Sequence, residues 1–146
     1  MENTEIEIVL VEDNPHDAEM TIRALTKNKV LNKIVHLEDG AEALDFIYGT
    51  GKYTGRNTAI KPKVILLDVK MPKVNGIEVL RKIKSDDRTK TIPVVMLTSS
   101  KEDPDVRTCY ELGANSYIVK PVDFENFTKS IAELGVYWLL LNEPLK

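Results

Sequence analysis

Cysteine is almost absent from this chain. Cys109 stands alone among 146 residues, so no intramolecular disulfide can form. That excludes a small secreted domain held by cross-links, and a reducing cytoplasm is the expected compartment. Long apolar runs are missing too. The longest, Val136-Tyr-Trp-Leu-Leu-Leu141, has six residues, against the roughly 20 a helix needs to cross a bilayer. The acidic start, MENTEIEI, lacks the basic residues and apolar stretch of a secretory signal. There is no excess of positive charge either. Lys and Arg number 20 against 23 Asp and Glu, a net charge of -3. Neither a membrane nor a nucleic-acid backbone is therefore an expected partner.

What is present is a globular mix: 42% hydrophobic and 29% charged residues. The length fits one domain, 1–146, and an attached DNA-binding or enzymatic output domain is not expected. Short runs rich in Ile, Val and Leu occur at Ile6–Val11, Val64–Leu67, Val94–Leu97 and Tyr117–Val119. Nearly all-apolar runs of this length fit strands buried on both faces of a parallel sheet. Lys33–Leu37 is weaker and reads as an edge strand.

Helix-start signals lie between the runs. Asn14-Pro15 and Asp103-Pro104 each place a cap before a proline. Asp39-Gly-Ala-Glu42 and Asn75-Gly-Ile-Glu78 have the form of capping boxes. Asp123 precedes an apolar stripe, Phe124, Phe127, Ile131, Leu134, Trp138 and Leu141, at helical spacing. The pattern is β-α repeated five times. It predicts an α/β fold of three layers, a five-stranded parallel sheet of flavodoxin-like order 2-1-3-4-5 between five helices. One connection, Tyr48–Pro62, is long, with three glycines and three basic side chains. It is expected to be a mobile surface loop.

Ligands of such sheets bind beyond the carboxyl ends of the strands. Glu12 and Asp13 follow the first run, Asp68 the third, Thr98 and Ser99 the fourth, and Lys120-Pro121 the fifth. Neighbouring strands about 4.8 Å apart bring these residues to one patch. Clustered carboxylates repel unless a divalent cation or a fixed positive charge relieves them. All-oxygen donors favour a hard ion, Mg²⁺ with Mn²⁺ as a substitute, and Lys120 supplies an ammonium. Asp68 can then serve as a nucleophile toward a phosphoryl group, its charge met by Lys120 and the Thr98 hydroxyl.

Leu10-Val-Glu-Asp13, Leu66-Leu-Asp-Val-Lys-Met-Pro72 with Asn75-Gly76, Leu97-Thr98 and Tyr117-Ile-Val-Lys-Pro121 together resemble the receiver domain of two-component response regulators. The resemblance runs from about Ile6 to Leu134, which leaves 135–146 as a C-terminal helix extension. It implies that Asp68 is the phosphoacceptor. It implies that Asp13 and the backbone carbonyl of Lys70 join Asp68 on the metal, with Glu12 acting through water. Lys120 becomes the phosphate-binding lysine, with a cis peptide bond to Pro121, and Thr98 and Tyr117 the switch residues. The implied donor is a phosphohistidine on a sensor histidine kinase or histidine phosphotransfer protein. The long loop and aromatic tail further resemble single-domain regulators paired with phytochrome-type kinases.

Lys70, beside the entry to Asp68, is expected to slow loss of the phosphoryl group. The apolar tail makes a homodimer through the helix Phe124–Leu141 an expectation, against a tail folded back on its own domain. Two rivals have less support. A Mg²⁺-dependent phosphatase with an aspartate nucleophile usually carries a second acid two residues on, where this chain has Lys70. A flavodoxin-like electron carrier needs a phosphate-cradling loop after the first strand, where Glu12 and Asp13 stand. A degenerate receiver acting as a protein-interaction module is the third alternative. The chain is thus expected not to be an enzyme, beyond promoting its own phosphorylation and dephosphorylation.

Overall fold

The computed structural model describes residues 8–27, 33–71, 73–99 and 104–134. Five strands form one parallel sheet: β1 (Ile8–Val11), β2 (Ile34–Leu37), β3 (Val64–Asp68), β4 (Val94–Thr98) and β5 (Ser116–Val119). Their order is β2-β1-β3-β4-β5, as the alternating pattern predicts. Five helices connect and follow them: α1 (Pro15–Lys27), α2 (Gly40–Tyr48), α3 (Gly76–Ser85), α4 (Pro104–Glu111) and α5 (Phe124–Leu134).

Every residue of β1, β3 and β4 is buried. Successive side chains alternate between the two faces, which is why these strands are apolar throughout. Val9, Val11, Ile65, Leu67, Val94 and Met96 face a core shared with Phe46, Leu80 and Cys109 of α2, α3 and α4. Ile8, Leu10, Val64, Leu66, Val95 and Leu97 face the other core, with Leu25 of α1 and Phe127 and Ile131 of α5. β2, at the edge, is only half-buried until Leu37.

The caps act through side-chain oxygens that accept otherwise unpaired amides, each worth about 1 kcal/mol. Asn14 Oδ1 accepts the Asp17 N–H at 2.9 Å. Asp39 and Asn75 accept those of Glu42 and Glu78, at 2.8 and 3.1 Å. The capping box at α2 differs from the sequence expectation in its return arm. Glu42 Oε1 accepts from the Glu38 N–H, one residue before the cap. The fully reciprocal box is at α5, where Asp123 and Asn126 exchange bonds of 2.7 and 2.9 Å.

The segment expected to be a mobile loop is instead organised. It holds a short 3-10 turn, Gly51–Tyr53. Tyr53 packs edge-on to Phe46, and its hydroxyl donates to Glu42 at 2.7 Å. Arg56 lies over the Phe46 ring at 4.2 Å and donates to the Phe46 carbonyl at 2.6 Å. Length and glycine content did not reveal that one arginine would bond the Phe46 and Ile47 carbonyls at the end of α2. Asp103, the tail stripe from Trp138 on and the apolar run Val136–Leu141 lie outside the described residues.

Candidate functional site

The parallel ladders continue one residue past the strand ends and so fix the backbone of the site. The Glu12 amide donates to Leu37 O, the Val69 amide to Leu97 O and the Lys120 amide to Thr98 O, at 3.0, 3.0 and 2.8 Å. These bonds bring Glu12, Asp13, Asp68, Thr98 and Lys120 around a single cleft of about 250 Å³, lined also by Asp17 and Lys70. The Lys120–Pro121 peptide bond is cis.

Glu12 and Asp68 are buried, at 1% and 5% exposure, while Asp13 is exposed. Oxygens of the three carboxylates lie within 4.8 Å of one another, the one such group of potential metal ligands among the described residues. The Lys120 ammonium bridges the buried pair, 3.0 Å from Glu12 Oε1 and 3.2 Å from Asp68 Oδ2. The other oxygen of Asp68 receives the Lys70 N–H at 3.4 Å.

Burial, with the neighbouring Asp68 charge, raises the Glu12 pKa to about 7, despite the opposing bonds from Lys120 and the Asn14 amide. Burial alone would lower the Lys120 pKa. The charges of Asp68 and Glu12 outweigh it and hold the ammonium above the ordinary lysine value. The site thus has an excess of negative charge that one lysine does not cancel. Three oxygen donors at the wall of an open cleft, with space for waters, suit a hard divalent cation.

Two contacts at the site were not foreseen from the sequence. Asp17 Oδ2 lies 3.6 Å from Lys120, a third acid on the same ammonium. Its place in the first turn of α1, directly after the acidic pair, was the available signal. His36 Nε2 donates to the Glu12 carbonyl at 2.8 Å, tying the edge strand to the acidic turn. Thr98 is buried and lines the cleft. Tyr117 does not. It is half-buried on β5, edge-on to the ring of Tyr110 at 5.9 Å. His16 is exposed and Cys109 is buried in a core, their ordinary structural places.

Comparison with known proteins agrees with this geometry. The model of the response regulator receiver domain matches residues 8–132. The probable methanogenesis regulatory protein FilR2 of Methanothrix harundinacea is 40% identical, over 90% of this chain and 83% of that protein. The structure of the bacteriophytochrome response regulator AtBRR superposes with a TM-score of 0.86 and 52% identity, covering 95% of this chain and 99% of that one. The Mn²⁺-bound form of response regulator Rcp1, a Synechocystis protein, has a TM-score of 0.72 and 33% identity, over 95% and 97%. The match spans the sheet from β1 to β5 and takes in each residue around the cleft, and the chain belongs to the response regulator receiver family.

Proposed function

We propose that this chain is a phosphorylatable switch that takes a phosphoryl group from a phosphohistidine onto Asp68. The supporting observation is the placement of Asp68. Its carboxylate is buried at the end of β3, opens on the cleft, and is held between the Lys120 ammonium and the Lys70 amide. An oxygen of Asp68 attacks phosphorus, the P–N bond to the donor imidazole breaks, and an acyl phosphate forms. The imidazole nitrogen keeps the electron pair and takes a proton. Lys120 then faces the new phosphoryl oxygens, as does the Thr98 hydroxyl once it turns to them. Tyr117 and Thr98 are the proposed switch residues.

Asp13, Asp68 and the Lys70 carbonyl are the proposed holders of Mg²⁺, with Glu12 acting through water, and Mn²⁺ is a substitute. The cation supplies charge neutralisation for phosphoryl oxygens. The partner is a sensor histidine kinase or histidine phosphotransfer protein. The proposed switch turns over no external substrate and works in the cytoplasm. No helix among the described residues is long and apolar enough to cross a membrane.

Incubation with Mg²⁺ and acetyl phosphate, read by intact mass, tests the proposal. One base-labile phosphoryl group is expected on the native chain and none on Asp68→Asn. Absence of any addition on the native chain would refute the reading. Followed over time after donor removal, the same assay should show faster loss in Lys70→Ala, because the exposed lysine that shields the acyl phosphate is gone. An unchanged lifetime removes that role.

The proposal includes a homodimer through Phe124–Leu141. Phe127 and Ile131 are fully buried in the chain's own core, so the contact would draw on the segment beyond Leu134. Sedimentation should give a dimer for the full chain and a monomer for one ending at Leu134. Monomers in both defeat it.

A further inference from the structure

A second cavity lies at the opposite end of the sheet from Asp68. It sits where Pro62 leads into β3 and Ile92 leads into β4. The five residues of β3, roughly 15 Å of chain, separate it from the acidic cleft. Its volume is about 210 Å³. Ile47, Pro62 and Ile92 are buried and form its apolar wall, with the buried Thr89 beside them. Three cations line it, Arg56, Lys61 and Arg88, and no carboxylate does. Arg88 is offset by its two bonds to Asp86, so Arg56 and Lys61 carry the local excess of positive charge.

The walls are pre-organised. Arg56 is fixed by its bond to the Phe46 carbonyl and by weaker 3.4 Å contacts to Ile47 O and Ile60 O, which leave guanidinium donor capacity. Arg88 is held by Asp86 at 2.8 Å and lies over the Tyr48 ring at 5.2 Å. The Tyr48 hydroxyl is 3.3 Å from Thr89 Oγ1. Lys61 is exposed and has no ion-pair partner among the described residues. Its charge is therefore available to a ligand at the mouth.

We propose that this cavity binds a small amphipathic anion, a single aromatic ring bearing a carboxylate. Cavity size fixes the ring. An apolar cavity of about 150 Å³ admits benzene, so this one has room for a ring and one small substituent. The cations fix the sign of the substituent, since a carboxylate at the mouth meets Lys61 and the weakly engaged terminal nitrogens of Arg56. A bare inorganic anion could meet the same cations but would leave the apolar surface of Ile47, Pro62 and Ile92 uncovered, so the ring is what the wall adds.

The test is an amide-resolved NMR titration of the full chain at constant ionic strength with three probes: benzoate, benzyl alcohol and acetate. Benzoate should saturate with a dissociation constant on the order of 1 mM, ordinary for a fragment of this size. Its largest shifts should fall on Tyr48, Ala59, Lys61 and Thr89. Benzyl alcohol has the ring without the charge, acetate the charge without the ring, and both should bind about tenfold more weakly. Lys61→Gln, at an exposed position, should weaken benzoate about twofold to fivefold and leave the rest of the spectrum unchanged. Non-saturating shifts, equal binding of acetate and benzoate, or shifts centred on Lys120 would each overturn the proposal.

Discussion

Replacing Lys120 by methionine is expected to destabilise the metal-free protein by about 3 kcal/mol at pH 8 and by roughly half that at pH 5. The replacement keeps the length and apolar stem of the side chain and removes the charge. Two buried carboxylates, Glu12 and Asp68, then lose their shared cation, whose nitrogen lies 3.0 and 3.2 Å away. Removing one partner of a buried ion pair leaves the other desolvated and uncompensated, which costs about 3–5 kcal/mol. Lys120 retains 22% side-chain exposure, so water softens the loss and the lower end applies.

The pH dependence follows from Glu12. Its pKa is raised from 4.5 to about 7 in the folded state. Between these values the folded chain binds more protons than the unfolded one, so stability falls as pH rises through this window. Near pH 5 Glu12 is protonated in the folded protein and makes little demand on the ammonium. Above pH 7 Glu12 is charged and the missing cation is felt in full. Urea unfolding of native and Lys120→Met chains at the two pH values measures the difference. Equal losses at both would mean that Lys120 acts through packing alone. Mg²⁺ should recover part of the loss at pH 8, since a cation on the same oxygens opposes the same repulsion. Phosphorylation by acetyl phosphate should slow about 10²-fold, the usual effect of removing one donor aimed at developing oxyanions.

The strand ends could be read from the sequence because they depend on local rules. β1, β3 and β4 are buried on both faces, so their apolar runs had clear edges, and Glu12, Asp68 and Thr98 stand at those edges. Strand order did the rest, since a right-handed parallel sheet lines up its carboxyl ends. What was hidden depends on contacts across loops. Asp17 reaches Lys120 from the first turn of α1 across to the end of β5, a contact between elements far apart in the chain. Arg56 looked like loop charge until its guanidinium was seen to satisfy carbonyls at the end of α2. The cationic cavity joins residues from three separate segments, 47–48, 56–62 and 88–92, with no motif in any of them. Gly40 and Gly76 read only as neighbours of helix caps. Their packing, against backbone from other segments, is a tertiary fact.

Gly76→Ala is expected to destabilise the protein by about 2 kcal/mol and to slow phosphorylation of Asp68 more than tenfold. Gly76 opens α3, where alanine is the better helix former by about 1 kcal/mol. Packing opposes that gain. A Cβ at Gly76 would overlap the backbone carbonyl oxygen of Asp68 and come within 2.9 Å of Val69 Cα. Backbone cannot rotate away as a side chain can, so overpacking costs on the order of 3 kcal/mol and outweighs propensity. The residue displaced is Asp68 itself, the proposed phosphoacceptor, whose carboxylate is held 3.2 Å from Lys120, and small misplacements at a reacting group cost orders of magnitude in rate. Gly40→Ala presses on the same loop from the other side, since its Cβ would overlap the Val74 carbonyl oxygen. Gly113→Ala is the control. It places a side chain at φ +108°, a strained conformation, but its neighbour there is Lys84, far from the cleft. All three variants should lose stability, while only the first two should also lose phosphorylation rate and Mg²⁺ affinity when compared as folded protein. A Gly113 variant that phosphorylates as slowly as Gly76→Ala would mean that general loosening of the fold governs the rate, and that the β3–α3 turn has no special part in holding Asp68.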